Sequence, residues 1–462
     1  MVLIQIATEY DFYYYAAMIR CLIIAFLFAA LAGCATQNIV SGKVHNTPQD
    51  ARYFANRVGN FPHINAVKEK AMTRNYLQHY FAPWYHPSSI FSPKKALSQE
   101  HKLVNHFMRK PGWAENKVSH SRFWVHKLVA NMRLKNFAVY YRAAVSIRST
   151  DIRELPTVRP SFTNIHAPGH GYPFDDLQTA FLAPNVPVSV LYYSRDKVWA
   201  LIETPYKALG WVKANDLAYV SRSFANKWSH HKFIVATCDH KVVIRNSRRA
   251  FFAMRIGQIL PLLKRHHNYF IAYVAVANQY QHAVLKKADV SGRCVRIFPL
   301  PLTLTKLAVQ MNRLMATPYG WDGLYGDRDC AVTIRDLFMP FGLWLPQFTY
   351  EQIKQGRMLS MKHMTAQQKL RFIVRNGVPF LTLISRHGHM MLYVGNVGGR
   401  PYMFHNPWGV RTINYLHPDI SGRAVLGRAV IVPVDYDSGY LNVRSSSTTI
   451  EAVDRIVILT PR

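Results

Sequence analysis

Tyr319-Gly320-Trp321-Asp322-Gly323-Leu324-Tyr325-Gly326-Asp327-Arg328-Asp329-Cys330 is a glycine-punctuated, aromatic-rich loop that ends on a cysteine. The residues after it, Ala331-Val332-Thr333-Ile334-Arg335-Asp336-Leu337-Phe338, space apolar side chains at Ile334, Leu337 and Phe338 and predict a helix. Asp327 and Asp329 are candidate caps for its first turn. A cysteine there lies at the positive end of the helix dipole, which predicts a lowered pKa and a larger thiolate fraction. The competing reading is a small buried core residue, since free cysteine is among the most buried side chains.

Downstream, His389-Met390-Met391-Leu392-Tyr393-Val394-Gly395 and Arg400-Pro401-Tyr402-Met403-Phe404-His405-Asn406 flank Asn396-Val397-Gly398-Gly399, the pattern of a β-hairpin. A hairpin centred near Val397 sets His389 directly opposite His405 on one face, with Cβ atoms about 5 Å apart. One imidazole then serves as base to Cys330 and the other orients it, the arrangement of a catalytic triad. A slip of one residue sends one histidine to the other face, so register decides the matter. Asn406, the alternative orienter, is expected to point away.

These residues resemble the NlpC-type papain-like cysteine peptidases of bacterial cell walls. The resemblance rests on Asp329-Cys330, on Gly388-His389 opening an apolar strand, and on His405 in the next strand, where papain-type relatives usually carry Asn or Asp. It extends upstream through SH3-like modules and covers most of the chain after residue 50 or so. It implies Cys330 as nucleophile, His389 as base and later acid, and His405 as orienter. It implies a peptidoglycan stem peptide as substrate, cut between D-glutamate and the diamino acid. Asp329 would bind the free amine of an N-terminal L-alanine, or simply cap the helix, or both. Tyr319 and Trp321 would line the cleft or pack the loop. Three departures bear on substrate recognition: Ala331 stands where the family has Ser, Asp322 where it often has Gly, and Gln347 where Leu-Pro-Arg is usual.

The chain has 462 residues, enough for three or four domains. Its 49% apolar and 18% charged content is that of a folded protein. Lys and Arg number 57 against 25 Asp and Glu, a net charge of +32, which favours polyanionic partners. With no zinc-finger spacing, RNP signature or Walker loop, nucleic acid is not an expected partner. Arg20, the apolar run Cys21 to Leu31 and Leu31-Ala32-Gly33-Cys34 describe a secretory signal too short to span a bilayer. Leu-Ala-Gly-Cys also matches the bacterial lipobox, implying cleavage before Cys34 and a lipid anchor on its thiol. Ala35 then implies sorting to the outer membrane, and Met18 would make a more ordinary start. Of the remaining cysteines, Cys238 and Cys294 share one predicted domain and could pair, but no geometry in the sequence requires it and they are read as core residues, leaving Cys330 as the reactive thiol.

The expected fold is multidomain α+β. Residues 1–34 are the signal and lipobox segment. Residues 50–149 form a helical N-terminal domain, with His79-Tyr80-Phe81-Ala82-Pro83-Trp84 filling an interdomain core. Short strands between turns predict a first SH3-like barrel over 150–221 and a diverged second one over 222–302. A papain-like peptidase domain occupies 303–462, its helices followed by strands. His387, His389 and His405 admit a zinc reading, but that leaves the cysteine loop unexplained and lacks a helical His-Glu-x-x-His, so neither metal nor cofactor is expected. No Gly-x-Ser-x-Gly elbow is present. Another papain-like amidase or a transglutaminase shares the chemistry. The contrasting class is a non-catalytic, wall-binding lipoprotein, and a hyper-reactive Cys330 would favour the enzyme. A monomer in the cell envelope, facing the periplasm, is expected.

Overall fold

The computed structural model describes residues 39–41, 44, 46–244, 250–413, 421–439, 443 and 448–459. The signal segment and Cys34 lie outside the described residues. The architecture is multidomain α+β.

After β1 (Ile39–Ser41) come four helices: α1 (Ala51–Ala55), α2 (Ala66–Tyr85), α3 (Pro93–Arg109) and α4 (Arg122–Met132). Their starts are written in the sequence. Asp50, Asn65, Ser92 and Ser121 each accept a first-turn amide, satisfying donors a helix cannot pair internally. The aromatic end of α2 does what the sequence predicts. Tyr76, Tyr80, Phe81 and Trp84 enter a core shared with both β units and with Met339 and Trp344 of the C-terminal region. The Trp84 indole donates to the Ala144 carbonyl at 2.7 Å, so its polar end is satisfied in that core.

The first β unit comprises β2 (Arg142–Ser146), β3 (Thr150–Arg153), β4 (Gln178–Leu182), β5 (Pro187–Tyr193), β6 (Trp199–Glu203), β7 (Leu209–Lys213) and β8 (Leu217–Tyr219), in the order 4-3-7-6-5-2-8. After α5 (Arg222–Ser229), the second unit comprises β9 (Phe233–Ala236), β10 (His240–Ile244), β11 (Ala250–Met254), β12 (Ile259–Arg265), β13 (Tyr269–Ala277), β14 (Ala283–Ser291) and β15 (Val295–Ile297), in the order 11-10-14-13-12-9-15. One expectation is corrected here. Cys238 and Cys294 are not separate core residues but a disulfide, with Cα atoms 5.1 Å apart. The antiparallel β9–β15 ladder ends on the pair Ala236 and Val295; Thr237 then donates to the Cys294 carbonyl at 2.8 Å, which brings the following residue, Cys238, within bridging distance of Cys294. Cys330 is then the free cysteine among the described residues.

The C-terminal region begins with α6 (Leu304–Leu314), then α7 (Cys330–Phe338), α8 (Thr349–Gln352), β16 (Gly356–Ser360), α9 (Ala366–Asn376), β17 (Thr382–Arg386), β18 (His389–Val397), β19 (Arg400–His405), β20 (Gly409–Ile413), β21 (Ser421–Val425), β22 (Val430–Pro433), α10 (Thr449–Ala452) and β23 (Val453–Leu459). Six strands make one antiparallel sheet in the order 16-23-17-18-19-22. β18 shows why both its faces read as apolar. Met390, Leu392 and Val394 pack with Ile334, Leu337 and Phe338 of α7, while Met391 and Tyr393 pack with Ile373 of α9. A smaller sheet, β1-β21-β20, stands beside it. Among the described residues no helix is long and apolar enough to cross a membrane.

Candidate active site

Cys330 is the first residue of α7, and Asp329 is its N-cap, accepting the Val332 amide at 2.7 Å. The loop before it is held from two sides. Toward the first β unit, Trp321 donates its indole N–H to the Asp175 carbonyl at 3.1 Å, and Gly323 (φ 83) presses on β4. A Cβ on Gly323 would stand 2.8 Å from the Phe181 amide nitrogen, so only glycine fits there. Toward the second β unit, Arg328 forms a bidentate pair with Asp239 at 2.7 and 2.9 Å and reaches Asp336 of α7 at 2.7 Å. Arg255 of the second unit donates to the Gly326 carbonyl, and Arg335 donates to Asp336. From the sheet, Asn406 donates to the Arg328 carbonyl at 2.8 Å and to Thr333 Oγ1 at 3.2 Å. Asn406 thus braces the cysteine loop rather than an imidazole.

Gln347 belongs to the same network, accepting from Arg335 Nη1. An arginine there would set two guanidiniums against each other; the amide oxygen removes that conflict.

His389 and His405 touch, but not by the expected register. Leu392 pairs with Phe404 and Tyr393 with Met403, whereas Gly395 pairs with Tyr402. Continuing the first of these registers puts His405 opposite Met391, so His389 sits diagonally, two residues along. The cause is a bulge at Val394-Gly395, where Gly395 takes φ 122. Without the extra residue His405 would oppose Leu392, on the face His389 does not share. The bulge restores the parity that lets the two imidazoles meet. His389 Nε2 lies 2.9 Å from His405 Nδ1.

That contact orders the protons. If His389 Nε2 donates, His405 Nδ1 accepts, and His389 Nδ1 keeps a free lone pair. His405 Nε2 is then protonated; it has no hydrogen-bond partner among the described residues. Both rings are held neutral. Burial pushes His389 well below its usual value, helped by His405 and Arg386, and burial pushes His405 down to about 3.

The thiol departs from expectation. Burial first, and the Asp329 carboxylate second, push Cys330 up to about 12, although the Met390 and Ala331 amides favour the thiolate. Desolvation therefore outweighs the helix dipole. Burial also raises Asp329 to about 6 and lifts Tyr319 well above the ordinary tyrosine value.

Cys330, His389, Tyr319 and Trp321 line one cleft of about 460 Å³. Phe174 of the first β unit meets Trp408 edge-on at 4.5 Å and closes part of its wall. Arg386, Arg411 and Arg423 also line it. Sequence reasoning missed these cationic and aromatic walls, and the Asp239–Arg328–Asp336 network. The signal for the last was a lone carboxylate, Asp336, in an apolar helix. Among the described residues no group of three or more His, Cys, Asp or Glu side chains is placed to hold a metal ion.

Comparison with known proteins bears on this arrangement. Residues 20–137 match the NLPC_P60 stabilising domain found at the N-terminus of such proteins, and residues 160–213 match an SH3 domain of the SH3b1 type. An NlpC/P60 endopeptidase from Photobacterium damselae subsp. piscicida superposes with a TM-score of 0.79 at 24% identity, over 92% of this chain and all of that one. The chain has the fold of an NlpC/P60 endopeptidase. An NlpC/P60 family protein from Bacillus cereus ATCC 10987 is more distant, with a TM-score of 0.43 and 14% identity over 62% of this chain and 83% of its own. RipB, a peptidoglycan hydrolase from Mycobacterium tuberculosis, gives a TM-score of 0.20 and 18% identity over 34% of this chain and 63% of its own. No curated protein matches the chain. Within the NlpC/P60 fold, the SH3 domain is the unit that supplies Phe174 and Asp175 to the cleft and its loop.

A neutral resting thiol sets an expectation for alkylation. The iodoacetamide rate at Cys330 should rise about tenfold per pH unit between about pH 6 and 9, since thiolate is the reacting species. A plateau below about pH 7 would instead show a resting thiolate–imidazolium pair.

Proposed function

We propose that this chain is a peptidoglycan hydrolase that cleaves stem peptides by Cys-His-His chemistry, at the bond between D-glutamate and the diamino acid. The observation that carries the reading is the 2.9 Å His389–His405 contact in the cleft that also holds Cys330 at a helix start. As Sγ attacks the amide carbonyl, His389 Nδ1 takes the thiol proton. His405 Nδ1 accepts from His389 Nε2 and steadies the imidazolium. The positive end of α7 favours the oxyanion that forms there. Collapse breaks the C–N bond, and the departing amine takes the proton from His389. Water, deprotonated by His389, then cleaves the thioester, releasing a carboxylate and restoring the thiol. Because both imidazoles are neutral at rest, the base is available well below pH 6.5, the ordinary histidine value.

The envelope is the proposed location, with peptidoglycan as partner and a lipid anchor at Cys34 holding the chain to the outer membrane. The anchor rests on Leu31-Ala32-Gly33-Cys34 alone. Cys34→Ser should release the protein from membranes in a form that high salt does not mimic, because salt screens charge and leaves acyl chains untouched. Full retention of that variant would remove the anchor from the account.

Mass spectrometry of digested muropeptides tests the chemistry. Cys330→Ala and His389→Ala should each lose about 10³-fold or more in kcat while staying folded. His405→Asn should keep measurable activity, because its carboxamide oxygen still accepts from His389 Nε2. A folded Cys330→Ala protein with a tenth of the activity would end the nucleophile assignment.

Asp329 is the proposed partner for the substrate's free amine. Its raised carboxyl is charged above about pH 6 and neutral below, so an ammonium partner is lost as pH falls through that value. Activity on peptides with a free L-alanine amine should therefore fall below about pH 6, chiefly through KM. Truncating one member of a desolvated charge pair costs about 2–5 kcal/mol, so Asp329→Asn and N-acetylated substrate should both show a matching loss and neither should keep that acid limb. Equal cleavage of acetylated and free peptides would show an open cleft that trims intact wall.

A further inference from the structure

Three arginines stand together in the cleft wall. Arg386 ends β17 just before the His389 strand. Arg411 on β20 and Arg423 on β21 are direct cross-strand partners in an antiparallel ladder. Like charges placed opposite each other across such a ladder destabilise it. One opposing charge stands in the same wall: the Asp437 carboxylate, which feels Arg386. Among the described residues none of the three arginines forms an ion pair, and Arg423 has only the Gly422 carbonyl and the face of Trp408, 6.0 Å away. Asp437, the carboxylate in the same wall, is occupied by the Thr449 amide and hydroxyl, both at 2.7 Å. Arg423 is lowered first by burial and then by Arg411 and Arg386.

We propose that Arg386, Arg411 and Arg423 form a carboxylate-binding wall that holds the acidic end of the substrate, the carboxylates of its diamino acid. The inference rests on the stem-peptide reading and narrows it. Tyr319, Trp321 and the arginines line the same cleft as Cys330, and the Arg423 guanidinium lies beside Gly169 of the first β unit. Three guanidiniums in the cleft that holds the nucleophile suit a substrate segment that carries free carboxylates. Guanidiniums match carboxylates in planar two-point contacts, and the bound anion offsets the repulsion that the empty wall carries.

The test compares L-Ala-γ-D-Glu-diaminopimelate with the same peptide amidated at its diaminopimelate carboxylates. The probes are wild-type protein and the single variants Arg386→Gln, Arg411→Gln and Arg423→Gln. Wild type should lose at least about tenfold in kcat/KM on amidation, the scale of a charge-assisted hydrogen bond. Arg411→Gln and Arg423→Gln should bring the free peptide down toward the amidated one, through KM. Because each removes like-charge repulsion, their melting temperatures should hold or rise, which a structural role would not produce. The proposal is overturned if amidation leaves wild type unchanged, or if the variants weaken both peptides alike. It is also overturned if the arginines prove to bind an acidic wall polymer, so that added polymer and not amidation tracks the variants. If neither peptide is cleaved by any of the proteins, the hydrolase reading fails and takes this proposal with it.

Discussion

Asp336 is a carboxylate almost wholly buried in the middle of α7, and the position of the cysteine depends on how it is satisfied. It accepts from Arg328 in the loop and from Arg335 on its own helix, with Arg255 of the second β unit 3.9 Å away. Arg328 in turn holds Asp239 of that unit. Taking ions out of water is costly, and such a cluster is weak evidence for stability as such. Breaking it by removing one partner leaves an unpaired buried charge, at about 3–5 kcal/mol. That asymmetry ties the loop before Cys330 to a separate domain. It gives the second β unit a reason to be present even though, among the described residues, no cleft residue comes from it. The Cys238–Cys294 disulfide fixes the turn next to Asp239, so the covalent link and the ionic link act on the same point.

The reacting groups in the cleft are neutral at rest. A buried thiol and two imidazoles that resist protonation give a site in which charge appears only as the reaction proceeds. Such a site differs from one that stores a thiolate at rest. It suits a cleft flanked by Asp329 and by arginines, where a resting ion pair would compete with substrate charges. The SH3 domain contributes differently from the second β unit: it narrows the cleft through Phe174 and Gly169 against Trp408.

Much of this was legible in the sequence. The helix after Cys330, the hairpin bearing two histidines and the aromatic end of α2 follow from apolar spacing and turn residues, whereas the first β unit starts at Arg142 in β2, inside the span read as helical. The register of the hairpin was not legible. Gly395 reads as an ordinary strand glycine, and only the ladder shows that it carries the bulge which brings His389 and His405 together. The thiol's pKa was misjudged because a dipole can be read from a helix start, whereas desolvation depends on what covers it. The disulfide was open in the sequence but not preferred, because the two cysteines stand 56 positions apart and only the ladder end joins them in space. The arginine wall is assembled from three strands across residues 386 to 423, and charge that dense looked like general surface basicity.

A covalent intermediate on one named sulfur is the most direct consequence of the account. Wild-type protein mixed with excess stem tripeptide, acid-quenched within milliseconds and digested, should yield the peptide containing Cys330 with added mass equal to the L-Ala-γ-D-Glu acyl group. That adduct should vanish on longer incubation as water cleaves the thioester. Steady hydrolysis with no adduct on Cys330 at any quench time, together with unmodified kinetics after Cys330 is alkylated, would contradict it.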